Sequence, residues 1–134
     1  DVALLVIDST EGITHQDQRL AERVDAAGCP IVLVLNKWDK INTEKRETFP
    51  AQIERKLSFL PDVPVHRVSA LTGKSVERLL PSMTSAIDAY QMRVPTRKVN
   101  EVVRRAQQAT PAPGGARVLY ATQGATHPPT FRSR

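Results

Sequence analysis

A chain of 134 residues, 40% of them hydrophobic, is long enough for one ordinary domain and apolar enough to bury a core. No apolar run approaches the roughly 20 residues that cross a bilayer, and the first residues lack a basic leader with a cleavage site. We therefore expect a cytoplasmic protein without membrane contact. The single cysteine, Cys29, favours a reducing compartment and a packing role where a helix meets a strand.

The net charge of +5 is unevenly distributed along the chain. Residues 1–92 carry 11 Lys and Arg against 13 Asp and Glu, a balance of −2. Residues 93–134 carry 8 against 1, a balance of +7. This asymmetry predicts two chemically different parts, with a boundary between residues 92 and 93.

Short aliphatic runs alternate with helical patterns in the first part, which predicts βαβ units and a parallel sheet. Residues 2–8 and 31–36 are continuously apolar, so helices should cover both faces of that sheet. Residues 65–69 are less apolar, which predicts a third strand at the sheet edge.

Helix signals separate the predicted strands. Thr14 and Asp17 are spaced as a capping box for a helix that ends near Gly28 and turns Leu20 and Val24 inward. A second helix is expected over residues 43–60, and a third follows residue 75. We expect breaks or kinks at the two prolines inside these helices. The prolines are Pro50 and Pro81, and the second helix should turn Ile53, Leu57 and Leu60 inward.

The second part opens with a linker at residues 94–96. A helical stripe follows, then a Pro- and Gly-rich break at residues 111–115, and then a predicted strand at residues 116–122. A partner strand would begin near residue 131. The stripe consists of Val99, Val102, Val103 and Ala106.

Three polar segments follow the three predicted strands, at residues 8–12, 36–39 and 69–73. Because ligands bind beyond the carboxyl ends of strands in open parallel sheets, these segments should converge on one ligand site. The middle segment reads Asn-Lys-Trp-Asp, and its residue types suit the base guanine. Guanine presents two adjacent donors, N1–H and the exocyclic N2–H₂, which one ionised carboxylate accepts together.

Each residue of the Asn-Lys-Trp-Asp segment has an expected role. Asp39 takes the guanine donor pair and rejects adenine, because adenine places a lone pair there. Asn36 braces the loop and reaches the N7 side, and the methylenes of Lys37 lie along the base. Trp38 is expected to pack the loop onto the protein rather than to stack on the ligand.

The Asn36–Asp39 segment matches the N-K-x-D motif of the translation-factor-related GTPases, and Ser69, Ala70 and Leu71 match their S-A-x motif. Residues 1–21, 31–40, 68–81 and 120–131 together resemble the Der (EngA) family of ribosome-assembly GTPases, from the second GTPase domain into the C-terminal KH-like domain. The resemblance implies a partial P-loop-NTPase-type parallel three-layer α/β sheet, followed by an incomplete α+β KH-like unit. It also implies GTP or GDP as ligand, with Mg²⁺ in the intact protein, and the large ribosomal subunit and its rRNA as partners.

No G-x-x-x-x-G-K-[ST] phosphate loop occurs in these residues, since Gly73 and Lys74 lack the glycine five positions earlier. We therefore expect no GTP hydrolysis by this polypeptide and weak nucleotide binding at best. By the same resemblance, the strand at residues 2–8 would keep one unpaired edge, which predicts low solubility or self-association. By this resemblance, we expect the chain to be a truncated part of a longer protein of the family.

The basic second part admits another interpretation. Four cations on one predicted helix suit attraction to phosphate backbones, although the G-x-x-G loop of ordinary KH domains is not visible. The alternative function is a non-enzymatic RNA- or ribosome-binding module that uses the sheet as a scaffold. A solvated helix face without a ligand also explains these residues. The candidate RNA contacts are Arg97, Lys98, Arg104 and Arg105.

Overall fold

The computed structural model describes residues 1–60 and 62–134. Its larger sheet contains β1 (Ala3–Asp8), β2 (Ile31–Asn36) and β3 (Val65–Arg67), all parallel, with β2 in the middle. This arrangement confirms the predicted parallel α/β sheet and the edge position of β3. The third strand is shorter than expected because Ser69 leaves the ladder and forms an isolated bridge to Lys74.

Four α-helices accompany the strands in the described ranges. They are α1 (His15–Ala26), α2 (Thr43–Lys56), α3 (Leu79–Gln91) and α4 (Thr96–Ala109), and short 3₁₀ turns cover Trp38–Lys40, Val76–Arg78 and Pro113–Gly115. None of these helices combines the length and apolar character that spanning a membrane requires. The described residues form two compact units, Asp1–Ile87 and Asp88–Arg134.

Apolar side chains lie on both faces of the parallel sheet, and β2 is covered on both, as its continuous aliphatic sequence predicts. On one face, alternate residues of β1 and β2 pack with α1 and α2, where Phe49 and Leu57 are buried. On the other face, Val32 and Val34 pack with residues of α3, including Met83. Period-two alternation of side chains thus divides each strand between two apolar layers.

The outer edge of β1 has no second strand beside it among the described residues. Leu4 and Val6 lie on the same face of the sheet as Val32 and Val34 of β2, which α3 covers. At β1, however, these two side chains are 39% and 54% exposed. The expected unpaired edge and uncovered aliphatic residues are therefore present. Self-association through them stays a prediction.

The capping box at the start of α1 is confirmed, because Thr14 and Asp17 exchange hydrogen bonds between side chain and backbone. The predicted inward position of Leu20 is wrong, since this side chain is 50% exposed. Ala21 is buried in its place, beside the partly buried Val24. A small residue lets the helix backbone approach the sheet more closely than leucine would.

The prediction for Pro50 was a break or a kink, and the break does not occur, because α2 is a single helix through this residue. The kink stays a prediction. Proline removes one backbone hydrogen bond to the preceding turn. Burial of Phe49 and Leu57, at 1% and 2% exposure, holds both halves of the helix on one core and offsets that loss. Pro81 lies in the first turn of α3, where N–H groups lack an intrahelical acceptor, so no kink is required.

The second unit combines α4 with an antiparallel pair, β4 (Ala121–Ala125) and β5 (Thr130–Ser133). The partner strand expected near residue 131 is thus present. The predicted strand at residues 116–122 begins later, because Gln107 bonds both backbone groups of Val118 in place of a neighbouring strand. Of the predicted stripe, Val99 is buried, whereas Val102 is 59% exposed.

Candidate functional site

Hydrogen bonds link the loops that follow β1, β2 and β3. Asn36 is central to this connection: its side-chain oxygen accepts a bond from the backbone N–H of Ala70, at 3.0 Å. Its backbone oxygen accepts from the N–H of Ser9, at 3.0 Å, and the N–H of Trp38 donates to the carbonyl of Val68, at 3.1 Å. The expected bracing of the loop by Asn36 is therefore present in the structure.

The loop turns sharply at Lys37, whose φ of 57° lies in the left-handed region. This conformation costs a residue other than glycine roughly 1–2 kcal/mol, and such residues cluster at functional sites. The ammonium of Lys37 forms an ion pair with a carboxylate oxygen of Asp8, at 2.5 Å. The ammonium is thereby held at the carboxyl end of β1.

Asp8 was not predicted as a site residue. Its other oxygen accepts bonds from the backbone and hydroxyl of Thr10, at 2.9 and 2.7 Å. The hydrogen bond from Lys37, followed by those from Thr10, lowers the pKa of Asp8 to about 2, and the same pair raises the pKa of Lys37. The register could have revealed this contact, because Asp8 lies opposite Asn36 in the parallel ladder.

Trp38 packs onto the protein, as expected. Its ring meets that of Phe49 edge-on, with centroids 5.4 Å apart. The guanidinium groups of Arg46 and Arg67 lie 5.9 and 5.3 Å from its centroid. The indole is therefore occupied by protein contacts.

Asp39 and Ser69 border a common cavity of about 340 Å³. The carboxylate of Asp39 is exposed and forms no hydrogen bond or ion pair with residues 1–60 or 62–134. Ser69 is buried, and its hydroxyl accepts a bond from the N–H of Thr72, at 3.3 Å. Leu71 is 83% exposed. Of the predicted guanine-binding residues, the cavity thus brings together Asp39 and Ser69, whereas Asn36, Lys37, Ala70 and Leu71 do not line it.

Side chains from α2 hold the loop that follows β1. Lys45 donates to the carbonyl of Thr10, at 2.9 Å, and Gln52 and Lys56 bond the N–H and C=O of Ile13. Gly12 has a φ of 79°, and an added Cβ would lie 2.9 Å from the side-chain oxygen of Gln52. The positive φ therefore favours glycine here, whereas the end of the flexible Gln52 side chain can move to admit a Cβ.

The four candidate RNA contacts are all exposed on α4. At about 100° per residue, they occupy roughly 120° of the helix surface, opposite the buried Val99. Arg105 forms an ion pair with Glu101, at 2.6 Å, whereas the other three have no carboxylate partner within the described part of the chain. The four candidate contacts are Arg97, Lys98, Arg104 and Arg105.

Metal ligands do not gather at this site. Within residues 1–60 and 62–134, no group of three or more His, Cys, Asp or Glu side chains could hold a metal ion. The polar loops at the carboxyl edge of a parallel sheet instead define the site as that of a ligand-binding α/β domain.

Comparison with protein families specifies the class. A family model described as the elongation factor Tu GTP-binding domain matches residues 1–89, and the chain belongs to this family. A second model, described as the C-terminal KH-domain-like region of EngA bacterial GTPase enzymes, matches residues 93–133. Both matches confirm the resemblance that the sequence motifs indicate.

Curated relatives support the same conclusion. The chain is 42% identical to GTPase Der of Synechococcus sp. (strain RCC307) over 139 residues, covering 98% of this chain and 30% of that protein. It is 38% identical to GTPase Der of Mycobacterium avium (strain 104) over 135 residues, covering 98% of this chain and 29% of that protein. The chain thus spans less than a third of the length of these relatives.

Solved structures share the fold of the first unit. Translation elongation factor SelB from Methanococcus maripaludis, in complex with the GTP analogue GppNHp, is similar with a TM-score of 0.58 and 26% identity. The similarity covers 66% of this chain and 20% of SelB. Era, in complex with MgGDPNP and nucleotides 1506–1542 of 16S ribosomal RNA, has a TM-score of 0.55 at 27% identity, over 64% of this chain and 28% of Era.

Proposed function

We propose that the loops after β2 and β3 form the base-recognising part of a guanine-nucleotide site, in a GTP-binding protein that acts in ribosome biogenesis. The observation that carries the proposal is the unpaired Asp39 carboxylate, whose residue lines one cavity of about 340 Å³ together with Ser69. Membership of the GTP-binding domain family supports guanine rather than another planar ligand.

Each site residue has a chemical role in this proposal. Asp39 accepts from N1–H and N2–H₂ of guanine, and the stem of Lys37 lies against the base while its ammonium is held by Asp8. Asn36 fixes the position of Ala70, and the O6 oxygen approaches the backbone of the Ser69–Ala70–Leu71 turn. In that turn, the N–H of Leu71 has no acceptor among the described residues.

The same proposal covers the wider biology. We assign residues 1–92 to a GTPase domain and residues 93–134 to a KH-like domain, in a cytoplasmic protein that associates with the large ribosomal subunit. GTP would bind with Mg²⁺ in the intact protein. The similarity to GTPase Der over 98% of the chain supports this assignment.

The proposal is tested by titrating the protein with GDP and, separately, with ADP while recording backbone amide NMR spectra. We expect GDP to shift the amides of Asn36–Asp39 and Ser69–Leu71, and ADP to leave them unchanged. Binding should be weak, because phosphate contacts supply much of nucleotide affinity. A GDP titration that moves neither loop would overturn the proposal.

Asp39→Asn is the matched control variant, since it keeps the shape of the side chain and removes the charge. The variant should lose the response to GDP and gain one to xanthosine diphosphate, because xanthine has an acceptor oxygen where guanine carries its amino group. Equal responses of the variant to both nucleotides would contradict direct pairing at residue 39. A phosphate-release assay separately tests the expectation that these residues alone hydrolyse no GTP.

The second candidate function is a non-enzymatic RNA- or ribosome-binding module. The exposed basic face of α4 favours it, since three of its four cations have no carboxylate partner among the described residues. RNA binding that depends on salt and on these cations, but not on Asp39, would support this function. The four cations are Arg97, Lys98, Arg104 and Arg105.

A further inference from the structure

A second set of cations surrounds the cavity beside Asp39. Four basic side chains line it, from α2, from β3 and from the segment that follows Ser69. Ser69, Ser75 and Trp38 also line this cavity. We name these four residues the cationic cluster: Arg46, Arg67, Lys74 and Arg78.

Two members of the cationic cluster are held in place by Trp38. Arg46 donates a hydrogen bond to the backbone oxygen of Trp38, at 3.1 Å, and its guanidinium lies 5.9 Å from the ring centroid. The guanidinium of Arg67 lies 5.3 Å from the same centroid. Cation–π contact and the hydrogen bond restrict both side chains, so less conformational entropy is lost when they bind an anion.

The charges of the cationic cluster are poorly neutralised. Arg46, Arg67 and Lys74 have no ion-pair partner in residues 1–60 or 62–134, and Arg78 only approaches the exposed Glu77, at 3.9 Å. Asp39 is the one carboxylate that lines the cavity within the described part of the chain. Four like charges around one cavity repel each other, and a bound anion would relieve that repulsion.

We propose that the cationic cluster binds backbone phosphates of an RNA strand, at a site separate from the basic face of α4. Arginine forks match phosphate oxygens bidentately. An acidic protein segment is the competing ligand, but it would also need an apolar anchor. The cavity offers little for one, because Val68 is buried and the Trp38 ring is covered by Arg46 and Arg67.

The test measures binding of a fluorescein-labelled single-stranded RNA by anisotropy over a series of salt concentrations. The triple variant Arg46→Gln, Arg67→Gln, Arg78→Gln should reduce the slope of log K against log salt by about 2, since each lost phosphate contact on a single strand removes roughly 0.7. The matched control is Arg19→Gln, Arg23→Gln, Arg55→Gln, which removes the same charge from exposed positions on α1 and α2. Equal losses in both variants would overturn the proposal.

The single tryptophan supplies a local readout. Trp38 emission should change when RNA binds, and this change should persist when the four cations of α4 are replaced by glutamine. Arg78→Gln alone, at an exposed position whose guanidinium approaches Glu77 at 3.9 Å, should reduce the slope measurably without altering the fold. An unchanged emission, or polyglutamate binding that replaces RNA binding, would overturn the assignment.

Asp39→Asn separates this inference from the proposed guanine site. The variant should lose the response to GDP while RNA binds as well or more tightly, because one negative charge has left the cavity wall. The triple variant Arg46→Gln, Arg67→Gln, Arg78→Gln should lose RNA affinity without gaining the response to xanthosine diphosphate that marks Asp39→Asn. RNA binding that falls with Asp39→Asn would count against the inference, whatever the outcome of the GDP titration.

Discussion

The two units reach a folded state by different means. In the first, aliphatic strands and three helices enclose most of the buried side chains, including Leu33, Leu35 and Phe49 at 1% exposure or less. In the second unit, the buried hydrophobic residues among those that the structure describes are Val99 and Ala121. The larger unit therefore depends on apolar burial, whereas the smaller one needs another source of cohesion.

Side-chain amides supply that cohesion in the second unit. Asn100 donates to the carbonyl of Ala121 and accepts from its N–H, at 2.7 and 2.8 Å. Gln107 bonds Val118 in the same two-way pattern, and the side chain of Gln123 joins Met92 and Val94. Each side-chain amide makes the hydrogen bonds that a neighbouring strand would otherwise make. The backbone N–H and C=O groups are therefore paired without a large apolar core.

Removing a core side chain of the first unit should have the largest effect. Phe49→Ala removes a fully buried ring and its contact with Trp38, which should lower the free energy of unfolding by about 3–5 kcal/mol. Urea unfolding followed by circular dichroism measures the loss. Leu4→Ala, at a 39% exposed position, is the control and should cost about 1 kcal/mol or less. Similar losses for both variants would refute the dependence on apolar burial.

Removing an amide contact of the second unit should have the next largest effect. Asn100→Ala leaves both backbone groups of Ala121 without their side-chain partner, at a cost of about 2 kcal/mol. Hydrogen exchange at the Ala121 amide should become faster. Gln108→Ala, at an exposed position of the same helix, should leave this exchange rate unchanged. Unaltered protection in Asn100→Ala would show that packing of Val99 alone holds the unit.

The sequence predicted the features that depend on near neighbours. Continuous aliphatic runs indicated strands with two covered faces, which holds for β2, and the spacing of Thr14 and Asp17 located the start of α1. Trp38 was correctly assigned to packing, because side chains of neighbouring loop residues point in different directions. The structure also brings the predicted loops together through Asn36 and Ala70.

The features that depend on distant residues could not be predicted in this way. The Asp8–Lys37 ion pair follows from the register of β1 on β2, which no local pattern specifies. Phe49 was overlooked because the adjacent Pro50 indicated the end of a helix, whereas tertiary packing carries α2 through it. The cationic cluster draws on three separate segments, so its members share no sequence signal.

A local polar contact of the first unit should matter less than its core. Thr14→Ala removes the cap of α1 and should cost about 1 kcal/mol, because an N–H of the first turn loses its acceptor. Thermal unfolding measures the change. Thr43→Ala, next to the cap of α2 that Asn42 supplies, should have a smaller effect. Equal effects would mean that helix propensity rather than capping sets the result.

The smallest effect on the free energy of unfolding is expected from loss of the exposed Asp8–Lys37 ion pair. This ion pair therefore tests whether the polar loops serve binding rather than folding. The pKa of Asp8 is lowered from 3.8 to about 2, so the pair stabilises the fold above about pH 4, and this contribution is lost as the pH falls through about 2. The raised pKa of Lys37 acts oppositely: its contribution is full below pH 10.5 and is lost as the pH rises through the folded pKa.

Carboxyl NMR titration of the protein and of Lys37→Met measures the pair directly. In the variant, the pKa of Asp8 should rise but stay below 3.8, because the two bonds from Thr10 remain. The free energy of unfolding at neutral pH should change little, since both partners are exposed to solvent. A large loss of stability in Lys37→Met would show that this polar loop holds the first unit together, and the contrast between the two units would then fail.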